Sequence, residues 1–193
     1  MCQFKSGIAI LRGGEIELLT LPRKDSHTKI REYFKIGEDN GLAQGGNNTP
    51  VEYVPYGDLT DWYDWTKYKL IYDDCPPNCK PDWVTDEMEA RIVRGFQSAI
   101  KKQTQNGCLE HDEDIDLRHL TTLPENTKLS AGGYIYLSSL KTLPENTQLS
   151  AGRDLYLNRL KTLPENAKLS AHEVYWQGFW WQLENFIDEI SQS

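Results

Sequence analysis

The chain has 193 residues, 38% of them hydrophobic and 26% charged, which is room for one medium domain or two small ones. Six Trp and ten Tyr exclude a disordered chain, and no apolar run approaches the ~20 residues that span a bilayer. A net charge of −8 runs against the coating of phosphates, so direct nucleic-acid binding and membrane insertion are both set aside. No basic start followed by an apolar stretch is present, so a cytoplasmic protein is expected.

Residues 2–11 alternate loosely, Arg12-Gly13-Gly14-Glu15 supplies a turn, and 16–21 alternate again, which predicts a β-hairpin. Asp25 and Ser26 then start a short helix over 27–35, with Ile30, Tyr33 and Phe34 on one side. The stretch 37–50 has turn composition and is expected to be a loop. Strands are expected at 51–54 and 67–72, separated by an acidic aromatic turn from Asp58 to Trp65. Thr85 caps a helix whose first turn holds Asp86 and Glu87 and whose apolar stripe is Met88, Ile92, Phe96, Ala99 and Ile100. These elements make a small mixed α/β domain over 1–104.

From 105 the pattern changes. Leu-Pro-Glu-Asn recurs at 123–126, 143–146 and 163–166, a period of 20 residues that signals a solenoid. In Tyr134-Ile135-Tyr136-Leu137 apolar and polar positions alternate, so a short strand points Ile135 and Leu137 inward. Leu155 and Leu157 repeat this in the next copy, and Leu123, Leu143, Leu163, Leu129, Leu149 and Leu169 also turn inward. One turn cannot bury these leucines alone, but stacked turns can. The tail, with Phe179, Leu183, Phe186, Ile187 and Ile190 on one helical face, predicts an amphipathic capping helix over 178–190. The expected class is therefore α+β: the domain at 1–104, a β-solenoid at 105–176 and a C-terminal capping helix within 177–193.

These repeats resemble the short LPE type of leucine-rich repeat found in bacterial effectors, over about 108–176. Leu120, Leu140 and Leu160 stand where that family's strand motif carries Asn, so a curved repeat and a straighter β-solenoid both stay open. The start of the chain, MCQF-x-SGI at 1–8, Gly-Gly-Glu at 13–15, Asp-Ser-His at 25–27 and Pro-Asp-Trp at 81–83, resembles uncharacterised bacteriophage and mobile-element proteins. That resemblance implies a host protein as partner, in the manner of an inhibitor of host defence.

Candidate chemistry is sparse. Cys2 as nucleophile, with His27 and Asp25 as helpers, would resemble the N-terminal cysteine arrangement of class II amidotransferases, although Gln3 stands where those enzymes carry Gly. Cys2 as a buried strand residue is the plainer reading. Cys75, Cys79, Cys108 and His111 have the ligand types of a structural zinc at a loose spacing, and free thiols are the favoured alternative. No cofactor motif is present, and no cofactor is expected.

The surface carries more. Stacking the repeats aligns Asp116, Tyr136, Tyr156 and, across a one-residue deletion, Tyr175. The neighbouring columns are Asp114, Tyr134, Asp154 and Glu173, and Arg118, Ser138, Asn158 and Gln177. A face of tyrosines and aspartates has the composition that protein interfaces favour. Residues 108–193 hold 7 basic against 13 acidic side chains, a net of −6, so a basic partner is expected, including a protein that itself binds nucleic acid.

Overall fold

The computed structural model describes residues 4–23, 26–36, 47–73 and 79–192. Cys2, Asp25, Cys75 and most of the expected loop at 37–50 lie outside the described residues. The chain divides into two compact units, one of Met1–Val54 with Lys69–Ile100 and one of Pro55–Tyr68 with Lys101–Ser193.

The first unit opens with the expected hairpin. β1 (Lys5–Arg12) and β2 (Glu15–Leu19) pair antiparallel, with Gly13 and Gly14 both at positive φ in the turn. α1 (His27–Phe34) follows, and its C-cap Lys35 takes a left-handed conformation. β3 (Asn48–Pro55) begins three residues before the expected strand, inside the stretch read as loop, because Asn48, Thr49 and Pro50 pair with Ile10, Ala9 and Ile8. The chain leaves for β4 (Gly57–Asp58), which belongs to the other unit, and returns as β5 (Tyr68–Tyr72). The sheet order is β2-β1-β3-β5.

Successive strand residues face opposite sides, so a strand covered on both faces buries every position. β1 does this from Lys5 to Ile10. Ile8 and Ile10 pack with Leu19, Leu21, Ile30 and Ile36 on one face. On the other, α2 (Asp86–Gln103) brings Phe96 over Gly7, where a Cβ would lie 3.1 Å from its ring, and Phe96 stacks on Tyr53 at 5.6 Å. Asp86, Glu87 and Glu89 occupy the first turn of α2 and Lys101 and Lys102 the last, the charge order that suits the helix dipole.

The second unit is a β-solenoid of about three turns over residues 108–175. Strands β6 (Cys108–His111), β7 (Ile115–Asp116), β8 (Leu120–Thr122), β9 (Lys128–Ala131), β10 (Ile135–Tyr136), β11 (Gln148–Ala151), β12 (Leu155–Tyr156), β13 (Lys168–Ser170) and β14 (Glu173–Trp176) follow in order. One parallel sheet stacks β6, β9, β11 and β13; a second stacks β7, β10, β12 and β14. A third side is marked by β4 alongside β8 and by a bridge from Thr142 to Thr162. There the amide of Gly57 donates to the His119 carbonyl at 2.8 Å and that of Leu59 to Thr122 Oγ1 at 3.1 Å.

The leucine columns fill the interior. Ile115, Ile135, Leu155 and Val174 are at most 4% exposed, as are Leu117, Leu137 and Leu157. Leu120, Leu140 and Leu160 are buried at the corner. Leu123 and Leu143 are buried, whereas Leu163 of the last copy is half-buried.

Asparagines do stack, at a different place from the strand position the resemblance suggested. Asn146 Nδ2 donates to Asn126 Oδ1 at 3.2 Å, and Asn166 Nδ2 donates to Asn146 Oδ1 at 2.9 Å. They sit in the Leu-Pro-Glu-Asn turns, where Asn126 and Asn146 have φ of 56° and 59°, a region that Asn tolerates better than most residues. Beside them Thr127 Oγ1 donates to the Pro124 carbonyl at 2.6 Å and Thr147 Oγ1 to that of Pro144 at 2.7 Å.

The C-terminal cap differs from the expected helix over 178–190. Gln177 and Gly178 have φ of 49° and 89° and form a two-residue hairpin turn. β15 (Phe179–Gln182) then pairs antiparallel with β14 and ends the parallel sheet. The helix, α3 (Leu183–Gln192), starts only at Leu183. Phe186 and Ile190 are buried, with Phe186 edge-on to Trp176 at 5.5 Å, while Phe179 is 69% exposed.

Candidate binding face on the solenoid

The outward positions of the second sheet form the columns that the repeat spacing implied. Asp116 pairs with Tyr136, Tyr136 with Tyr156, and Tyr156 with Tyr175. Because Ile135 and Leu155 fill the interior, the pleat sends these neighbours out. The hairpin adds one rung, since Tyr175 pairs with Trp180.

The rings touch along the whole column. Tyr136 and Tyr156 stack with centroids 4.6 Å apart. Tyr156 lies 5.6 Å from Tyr175, and Trp180 lies 5.0 Å from Tyr175 and 5.5 Å from Tyr156. Tyr134, from the neighbouring column, joins at 5.9 Å from Tyr136. The four tyrosines are half-buried and Trp180 is 49% exposed. Burial first, and then the charge of Asp114, pushes the Tyr136 phenol up to about 12, and the Tyr156 phenol is raised by burial and by the neighbouring Tyr134. Both hydroxyls are therefore neutral at physiological pH and able to donate and accept.

The charges on this face are more committed than their residue types suggest. Asp116 is 2% exposed, and its carboxylate accepts from Arg118 Nε at 2.9 Å and Arg118 Nη2 at 2.5 Å. The same guanidinium lies 5.4 Å from the Tyr136 ring, and the Asp116 hydrogen bond raises its pKa further. Asp114 Oδ1 accepts from the Tyr134 amide at 2.9 Å and Asp154 Oδ1 from the Glu173 amide at 3.2 Å, so each ties one turn to the next. Arg153 lies 5.3 Å from the Tyr134 ring and donates to its hydroxyl at 3.1 Å. The face thus presents five aromatic rings with a guanidinium over each of two tyrosines.

The remaining candidates stand elsewhere. His27 begins α1, with Nε2 3.2 Å from the Val51 carbonyl and Nδ1 3.3 Å from Asp73 Oδ2. No sequence signal linked 27 to 73, since the pairing depends on how the sheet closes. Cys79 is exposed and Cys108 half-buried. Cys108 and His111 lie three apart on β6 and so project to opposite sides, which keeps them from closing on one ion. A cleft of about 580 Å³ runs on the third side between Trp62, Tyr63 and the turns at Pro124 and Pro144. Its ionisable lining is Asp61, Tyr63 and Glu125.

No helix among the described residues is long and apolar enough to cross a membrane. Comparison with known proteins gives no matching family model, no matching curated protein and no matching solved structure.

Proposed function

We propose that this is a non-catalytic interaction protein that binds a partner protein through the aromatic face of its solenoid. The observation that carries the reading is the unbroken column Tyr136, Tyr156, Tyr175 and Trp180, with Tyr134 beside it. Tyr and Trp offer large, rigid contact area with a polar end, at little cost in conformational entropy, and they dominate interface hot spots. Mutual stacking holds the rings in place before a partner arrives, which lowers the cost of ordering them. The acidic balance of residues 108–193 supports a basic partner, including one that binds nucleic acid. The motifs at 1–8, 13–15, 25–27 and 81–83 make that partner a host protein, and inhibition of host defence the role, on resemblance alone.

The double variant Tyr136→Ala, Tyr156→Ala tests the reading. The inward residues of those strands are untouched, so the fold should survive. Partner affinity should fall by at least ~2 kcal/mol if these rings are hot spots. Unchanged affinity in a well-folded double variant would remove the reading.

A further inference from the structure

His27, Glu52 and Asp73 offer three ligand atoms, one from each residue, that all lie within 4.8 Å of one another. They come from three elements of the first unit: the start of α1, the middle of β3 and the residue after β5. The sheet makes this meeting, because β3 and β5 are neighbours and the Asp73 amide donates to the Pro50 carbonyl at 3.0 Å. We propose that these three side chains bind a divalent transition-metal ion through one imidazole and two carboxylates.

Four features carry the proposal. His27 Nδ1 and Asp73 Oδ2 are 3.3 Å apart, and two donors each ~2.0–2.1 Å from a tetrahedral ion are separated by about that distance. The other ring nitrogen, Nε2, faces the Val51 carbonyl at 3.2 Å. A proton on Nε2 donates there and leaves the Nδ1 lone pair for a metal, the arrangement that orients most metal-bound histidines. Glu52 is 5% exposed, and in such a setting attraction between its carboxylate and a dication is weakly screened. Asp73, with a side chain 57% exposed, gives the ion a way in from solvent.

Three protein ligands leave at least one position for water, which suits an exchangeable ion better than a closed structural one. Imidazole with two carboxylates favours zinc, cobalt, manganese or iron over calcium. The proposal is independent of the solenoid face.

Cobalt(II) is the probe, titrated into the untagged full chain and followed by visible absorption and equilibrium dialysis. One equivalent should bind, with the bands of nitrogen and oxygen ligands and no thiolate charge transfer. Asp73→Asn and His27→Gln should each weaken binding at least ~10-fold, and Cys79→Ser should leave it unchanged. If His27→Gln does not fold, Asp73→Asn decides alone, since its side chain is exposed and the change is isosteric. No saturable binding, full affinity in Asp73→Asn, or loss of binding in Cys79→Ser would each overturn the site.

Discussion

Gly132 and Gly152 stack in successive turns of the solenoid. A Cβ on Gly152 would lie 2.3 Å from the Gly132 carbonyl oxygen, and one on Gly132 would lie 2.3 Å from that of Asp112. Both obstacles are backbone, and the sheets hold them in register, so neither can swing aside. Gly152→Ala should therefore destabilise the solenoid by about 1–3 kcal/mol, the usual cost of overpacking, read as a lower denaturant midpoint. An unchanged midpoint would mean that the turns are spaced more widely. The close approach of the neighbouring turn is the reason glycine stands at both positions.

Tyr136 gives a second prediction at the same scale. Its phenol is raised from 10.0 to about 12, by burial first and then by Asp114 and the neighbouring tyrosines. The folded state thus holds this proton more tightly than the unfolded chain does. Its contribution to stability is intact below 10.0 and is lost as pH rises through about 12. Stability measured across that window should fall, and Tyr136→Phe should make the fall shallower. An equally steep fall in Tyr136→Phe would assign the effect to other groups.

Among the elements, the Leu-Pro-Glu-Asn turns show how much each repeat depends on small polar groups. Thr127 and Thr147 are buried, and each closes its turn onto the carbonyl of the proline three residues before it. The third copy has Ala167 there, and only its amide reaches the Pro164 carbonyl, at 3.0 Å. Ala167→Thr should add the missing hydrogen bond and raise stability by about 1 kcal/mol, seen as a higher melting temperature. A lower melting temperature would show that the last turn cannot take the extra atoms.

The elements also show what was legible in the sequence. The 20-residue period placed every inward leucine of the first two copies, because period and pleat together decide which way a side chain points. The columns 116, 136, 156 and 175 came from the same arithmetic and match the strand register. The tail misled because Phe179, Leu183, Phe186 and Ile190 are spaced for a helix, yet the adjacent strand edge offered β15 a full set of hydrogen bonds. Gln177-Gly178 was the missed signal, a turn pair at the right place for a hairpin. The meeting of His27, Glu52 and Asp73 had no local signal, as its members are separated by 25 and 21 residues and only the pairing of β3 with β5 unites them.

At the scale of the whole molecule, the chain keeps two kinds of chemistry in two compact units. The first unit holds the His27, Glu52 and Asp73 cluster. The second also takes in Pro55–Tyr68, whose β4 joins the third side of the first turn. Its own regularity produces the aromatic face, because each 20-residue turn returns an outward side chain to the same column. Arg118 and Arg153 lie against that column, and Asp116 is neutralised beneath it. Affinity should therefore rest on ring contact more than on net charge, with salt weakening binding only modestly.

The central claim is that this face binds a protein, and the most direct measurement compares three immobilised, equally stable forms of the chain against one partner protein recovered from cell lysate and then purified. The wild type and Cys2→Ala should bind it with equal affinity, and Tyr136→Ala, Tyr156→Ala should bind it at least ~30-fold more weakly, the equivalent of ~2 kcal/mol. Equal binding by the double tyrosine variant, with loss of activity in Cys2→Ala, would contradict the account and move the function to the first unit.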